Sequence, residues 1–401
     1  MSKVFPGQRK ISAPLATRAI FFIAGMTIGL WAALVPFVQQ RTGAEAHQLG
    51  GLLLCLGAGS LVSMSGSGPL IGRFGCRAVI LAASALFCLL LPVLATANTL
   101  WLLGCALFIF GMGMGLTDVA MNVQAAMVEQ MSGRPLMSGF HCLWSIGGVA
   151  GSAGSALLFS AGFSPLAGTL VAIIITALVL LLLAPGLLKV GNHDTATTPT
   201  RSGFRPGLTL ILLALMTMLS FLAEGAVIDW SGIFMTTERG LDVRNAGWGF
   251  AVFSVAMSLL RFSGDFVVQR LGRKAVLVGG GILAMAGYLL VVLAPGWLLS
   301  LCGFAVIGIG AANIVPVLVT LAGQDKSLPV NMSVAMVTTL GYFGVLGGPA
   351  LLGWIAHYSN LYVAFTLLAV SFGLIALAGL KLRYQDDRDN GHSGQKSIVE
   401  K

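Results

Sequence analysis

Residues 68–77 read GPLIGRFGCR, and residues 265–274 read DFVVQRLGRK. Arg73-Phe-Gly75-Cys-Arg77 is thus answered by Arg270-Leu-Gly272-Arg-Lys274, 197 residues later. Each is a short basic turn between apolar runs of about 20 residues, the length of one membrane-crossing helix. Two more sets keep the same offset of 197: Gly111-Met-Gly113 with Gly308-Ile-Gly310, and Gly147 and Gly151 with Gly344 and Gly348. Glycine is common in this chain, so a single match carries little weight. Three sets at one offset predict two homologous halves.

Outward from these turns the same grammar repeats. Hydrophobic residues make up 57% of the chain, against about 45–50% in a soluble domain. Charged residues are 9%, against about 25%. The composition excludes a soluble globular protein and predicts an all-α membrane protein. Twelve spans are read, at about 19–39, 48–71, 78–97, 100–124, 136–161, 165–188, 208–236, 245–268, 275–294, 297–321, 331–356 and 361–380. The expected organisation is a six-helix bundle over 1–188, a linker over 189–207, a second bundle over 208–380 and a disordered tail over 381–401. Ala19–Val38 is too long for a signal-peptide core and is read as the uncleaved first helix.

The net charge of +9 does not point to nucleic acid, because the basic residues gather in short loops on one side. With both termini inside, 19 Lys and Arg face inward and only Arg41, Arg239 and Arg244 face outward. The positive-inside rule then makes both termini cytoplasmic. The six cysteines form no CxxC pair, so neither a disulfide framework nor a metal site is expected. No ATP-binding loop, nucleophile elbow or zinc motif is present. The chain is read as no enzyme, with no cofactor.

The seventh span contains SFLAEGAVIDWSGIF, residues 220–234, with Glu224 at mid-depth and Asp229 nearer the outside. An acid at the centre of a bilayer costs roughly 2.5–3.5 kcal/mol, so it marks a functional position. Glu224 is the leading candidate for proton coupling or substrate binding. Asp229 and Trp230 are read as an outer gate, although Asp229 could equally cap a loop and Trp230 anchor at the interface. In the fourth span Asp118, Asn122 and Glu129 share a face. Asp118 is the expected working partner of Glu224, and Glu129 is expected as a solvated helix end. His141 could relay a proton or serve only structurally, and Trp144 could stack on a ligand or pack. Arg261 and Asp265, four apart, can pair on one face and are read mainly as bracing the inner end of the eighth span; a substrate-binding Arg261 would instead favour an anionic solute. Asn313, Thr338, Thr339 and Tyr342 suit hydrogen bonds to a hydroxylated solute, or between helices. Pro316 should loosen the tenth span.

The turn Gly68-Pro-Leu-Ile-Gly-Arg73-Phe-Gly75-Cys-Arg77 resembles the signature of the major facilitator superfamily, and the likeness runs through nearly the whole chain. Gly72 stands where that signature has Asp, and Gln269 stands there in the second copy. The basic parts survive: Arg73, Arg77, Arg270 and Lys274, with Gly68, Gly75 and Gly272. Ala223-Glu224-Gly225 with Asp229-Trp230, and Thr338 through Gly353, are similar to the YbjJ-type bacterial inner-membrane subgroup. The resemblance implies a monomeric secondary transporter working by alternating access, with its site between the halves. The expected cargo is a small polar, sugar-like solute moving with protons. Efflux of a drug or metabolite, or a non-transporting sensor, are the alternatives.

Overall fold

The computed structural model describes residues 12–44, 46–189, 205–241 and 248–382. Most of the expected 189–207 linker and 381–401 tail lies outside the described residues, as does Arg244. Among the described residues every regular element is helical. They are α1 (Ala13–Thr42), α2 (Ala46–Thr96), α3 (Leu100–Ser132), α4 (Met137–Ser160), α5 (Pro165–Leu183), α6 (Leu208–Thr237), α7 (Trp248–Leu271), α8 (Arg273–Leu293), α9 (Trp297–Ala311), α10 (Ile314–Gln324), α11 (Val330–Tyr358) and α12 (Leu361–Lys381). A short 3₁₀ turn follows α5.

Twelve spans come from these helices by two adjustments, each with a local cause. α2 carries an apolar stretch of 46 residues, which as a straight helix would be about 70 Å long. That is more than twice the roughly 30 Å of a bilayer core, so the chain has to turn. It turns at Gly75, where φ is 79° and ψ is 159°. In the opposite sense, α9 and α10 together make one span, broken at Asn313 just before Pro316.

The repeat read from the sequence is repeated in the packing. Gly272, between α7 and α8, has φ 82° and ψ 155°, almost the angles of Gly75. Only glycine occupies this region without strain. Gly75→Ala and Gly272→Ala are each expected to cost about 1–3 kcal/mol, measured as lost thermal stability of the purified protein. Gly66→Ala and Gly279→Ala are the controls, since an added Cβ there meets nothing within 4 Å. An unchanged melting temperature in both hinge variants would contradict the strain argument.

The glycine pairs have matching partners as well. A Cβ on Gly111 would run into the carbonyl of Leu56, and one on Gly308 into that of Phe253. Gly113 faces Ala83 and Phe87, while Gly310 faces Gly280 and Ala284. Each partner is 197 residues from its counterpart. Small residues let helix backbones meet where lipid offers no hydrophobic drive to association. In the first bundle α1 packs on α4 and α2 on α3. In the second, α6 packs on α11, and α8 on α9 and α12. The bundles meet along α2 with α11 and along α4 with α7.

Two arginines follow the same symmetry. Arg41, at the end of α1, donates to the carbonyls of Leu94, Ala95 and Ala97 at 2.8–3.0 Å. Arg239, just past α6, donates to Val291 and Val292 at 2.7 and 2.8 Å. Both cap carbonyls at the end of a neighbouring helix, which lack the intrahelical partner and carry the negative end of the helix dipole. The sequence reading placed both only in outer loops. Their capping role needs the folded neighbour to be seen.

Candidate functional site

The break in the tenth span creates the anchor of the site. Proline has no N–H, so Pro316 cannot satisfy the carbonyl of Ala312 four residues earlier. A bare carbonyl inside a membrane protein needs another donor. Arg261 of α7 supplies it, with Nε donating to Ala312 O at 3.0 Å. This holds the guanidinium 7% exposed inside the second bundle. Its Nη2 faces Glu224 Oε2 of α6 at 3.4 Å. The hydroxyl of Ser220, one turn before, donates to Glu224 Oε1 at 3.2 Å. Beside it the Tyr288 hydroxyl donates to Ala223 O at 2.7 Å, pinning α8 to α6.

From the first bundle, His141 of α4 lies within electrostatic reach of Arg261 and meets the Phe21 ring edge-on at 5.3 Å. Asn313 is 3% exposed and lies close over Gly264, one turn from Arg261, with Ser138 alongside. Asn313 Oδ1 and His141 Nε2 are both buried without a hydrogen-bond partner. A buried polar atom left bare is costly, so these two are positions where a polar ligand or water would bind.

Two expectations about this site are corrected. Arg261 does not pair with Asp265 four residues on; it meets Glu224 and the Ala312 carbonyl that Pro316 leaves bare, while Asp265 accepts from Gly139 N–H. Glu224 is coupled to Arg261 rather than to Asp118. Asp118 is half-buried on α3 within electrostatic reach of Tyr342 of α11. Asn122 Nδ2 donates to the backbone carbonyl of Asp118 at 2.9 Å, leaving Asn122 Oδ1 buried and bare. Asp118, Asn122 and Tyr342 thus form a second polar group between α3 and α11.

The remaining candidates are scattered. Thr338 is buried, and its hydroxyl returns to Val334 and Ala335 of its own helix. Thr339 is half-buried. Trp144 is 36% exposed. Asp229 is exposed, while Trp230 packs against Gly353 with its indole N–H buried and unpartnered. Glu224, Arg261 and Pro316 answer to Thr27, Met64 and Val119 in the first half. The polar chemistry at the anchor therefore belongs to one repeat only.

An uncharacterized MFS-type transporter of Yersinia pestis is 42% identical over 365 residues, covering 90% of this chain and 94% of that protein. This chain belongs to the major facilitator superfamily. The superfamily model itself matches residues 213–400. An uncharacterized transporter of Sinorhizobium fredii is 32% identical, over 89% of this chain and 94% of that protein. The solved structure of the superfamily transporter FucP in the outward conformation superposes with a TM-score of 0.81 at 17% identity, over 93% of this chain and 99% of that one.

As a facilitator the chain departs from the superfamily signature at Gly72 and Gln269, and the structure shows what closes its basic end. The start of α4 has no capping side chain of its own. Two carboxylates from elsewhere supply one. Glu129 Oε2 of α3 accepts from the N–H groups of Leu136 and Met137 at 2.7 and 2.8 Å. Asp265 of α7, in the other bundle, accepts from Gly139 N–H at 3.1 Å. Anionic groups fit a helix N-terminus because its first amides are unpaired and its dipole is positive. Glu129 Oε1 also accepts from Thr320 Oγ1 at 2.7 Å and meets Arg273 at 3.7 Å, both in the second bundle. Gln130 donates to Gly323 O, and Asn331 to Gly68 O at 2.6 Å.

The reading of Glu129 as a solvated helix end is thus overturned: it is 4% exposed and spans the two bundles. Sequence reasoning missed its partners Thr320 and Arg273 and also Gln130 and Asn331. Arg73 and Arg270 of the basic turns lie instead over their neighbours Phe74 and Phe266, and Lys274 is exposed. Arg77 joins the closure of its own bundle through its backbone N–H to Leu188 O at 2.9 Å.

Proposed function

We propose that this facilitator is a proton-coupled secondary transporter that takes up a small polar organic solute by alternating access. The observation that carries the reading is the buried Glu224–Arg261 pair, held at mid-span by a broken helix, with His141 of the other bundle within electrostatic reach of Arg261. A carboxylate beside a cation inside a membrane can lose its proton to one side and regain it from the other as the cavity changes access. Bundles 1–188 and 208–380 rock about this site as a monomer in the bacterial inner membrane. Positive-inside bias assigns the basic end, with both termini, to the cytoplasm. The bridges of Glu129, Gln130, Asp265 and Asn331 then close the cytoplasmic side, and the conformation is outward-facing.

Glu224→Gln keeps the shape and the hydrogen bonds of the side chain but cannot cycle a proton. In proteoliposomes it is expected to abolish accumulation driven by a proton gradient while leaving the protein folded and solute exchange in place, with a lower melting temperature because Arg261 keeps its charge without a counter-charge. Gradient-driven accumulation at the wild-type level in that variant would remove Glu224 from the coupling. Whether deletion of the gene impairs growth on a solute or raises sensitivity to a toxic compound separates uptake from efflux.

A further inference from the structure

The proposed proton site has a second consequence, which rests on that reading and concerns the cargo. We infer that Arg261, with His141 and Asn313 beside it, docks a carboxylate group of the transported solute when Glu224 carries its proton. The cargo class is a small hydroxylated organic acid rather than a neutral sugar.

The argument begins with the guanidinium. Nε is held by Ala312 O and Nη2 faces only Glu224, at the long distance of 3.4 Å. Among the described residues, Nη1 has no hydrogen bond. The Nη1–Nη2 edge is the edge that grips a planar carboxylate with two parallel hydrogen bonds. In the structure Glu224 blocks that edge from one side. Once Glu224 is neutral, Arg261 is a buried cation with no counter-charge in its immediate contacts, and such a charge demands an anion. The other charged or titratable groups near the pair are His141 and Cys142 on α4, Asp265 one turn along α7 and Tyr288 on α8 near Glu224. Asp265 is occupied by Gly139 N–H on the basic side, and Tyr288 by Ala223 O.

The bare atoms complete the chemistry. Asn313 Oδ1, beside Gly264 one turn from Arg261, and His141 Nε2, within electrostatic reach of Arg261, are buried and unpartnered. Asn313 Oδ1 accepts hydrogen bonds, so it suits a solute hydroxyl, and the neutral His141 tautomer with its proton on Nε2 would add a donor to the acid group. One arginine fork matches one carboxylate; a phosphate dianion would require further cations. Moving a monoanion together with one proton transfers no net charge, so uptake by this route is electroneutral.

The test uses purified full-length protein and matched probe pairs: glucose with glucuronate, galactose with galacturonate and glycerol with glycerate, with inorganic phosphate as a further arm. Thermal stability is measured at an acidic and at a neutral pH. At least one acid is expected to raise the melting temperature by a few degrees while its neutral partner does not, with the larger shift at acidic pH. In Glu224→Gln the acid shift is expected at both pH values, because the arginine is permanently unblocked. In the Glu224→Gln/Arg261→Gln double variant, which avoids leaving Glu224 without its cation, the acid shift is expected to vanish. Stabilisation by a neutral sugar alone, by phosphate alone, or by none of these probes would overturn the inference, as would an acid shift that survives in the double variant. The coupling reading fails separately: an acid shift lost only with Arg261, alongside intact gradient-driven accumulation in Glu224→Gln, removes the proton role and keeps the carboxylate site.

Discussion

Glu129→Ala is expected to unlatch the basic end of the transporter. The substitution removes the acceptor of two amides at the start of α4, of the Thr320 hydroxyl and of the Arg273 contact. Hydrogen bonds to a buried charge contribute about 1.5–3 kcal/mol each. They do not add fully, so a total of about 3–5 kcal/mol against the closed state is expected. Cys142 is the natural reporter. It is 3% exposed and lies on α4 near Asp265 and Arg261. In a variant whose only cysteine is Cys142, Glu129→Ala is expected to speed alkylation by at least about tenfold, the ratio that 1.4 kcal/mol gives. Glu129→Gln keeps an acceptor oxygen for the helix start and should fall between the two. An alkylation rate no faster than in the parent, with the fold intact, would mean that the other bridges hold the end without Glu129.

Arg239→Ala should lower the stability of the fold without touching the proposed transport site. Arg239 donates to Val291 O and Val292 O, to Ser300 Oγ at 2.9 Å, to the Tyr362 hydroxyl at 2.8 Å and to Glu238 O at 3.2 Å. Its guanidinium also sits over the rings of Phe234 and Tyr362 at 5.0 and 5.2 Å. Removing it leaves the end of α8 uncapped and strips a cation from two aromatic faces. A cost of about 2–4 kcal/mol is expected, seen as a lower melting temperature, with transport per folded molecule unchanged. Lysine keeps the charge but not the fork, so Arg239→Lys should recover less than half. The corresponding Arg41→Ala should cost less, because Arg41 makes three such bonds. A melting temperature in Arg239→Ala indistinguishable from wild type would contradict the capping argument.

These two sites show where reading the chain linearly stops. Glu129 and Arg239 stand near the ends of spans, where a charged residue ordinarily meets water. What makes one a latch and the other a cap is the helix that folds over it from tens or hundreds of residues away. The Glu224–Arg261 pair was half-legible. Each residue is conspicuous as a charge in an apolar helix, but a local i, i+4 rule assigned Arg261 to Asp265. The carbonyl freed by Pro316, on a different helix, redirected it to Glu224. Asp118 stands out as an acid in an apolar helix, yet Tyr342, within its electrostatic reach, comes from α11, and no spacing within α3 could name it.

The sequence by itself determined the class and the count. Apolar runs of bilayer length leave helices as the only way to satisfy the backbone. A constant offset of 197 in glycines and basic turns specified two repeats, because glycine is required where backbones touch and where φ is positive. The tertiary structure alone decided which charges meet, since partners in adjacent helices are set by packing and not by separation along the chain. It also decided which end is shut: the same residues, with the bundles tilted the other way, would have lost Thr320 from Glu129 and Gly139 from Asp265.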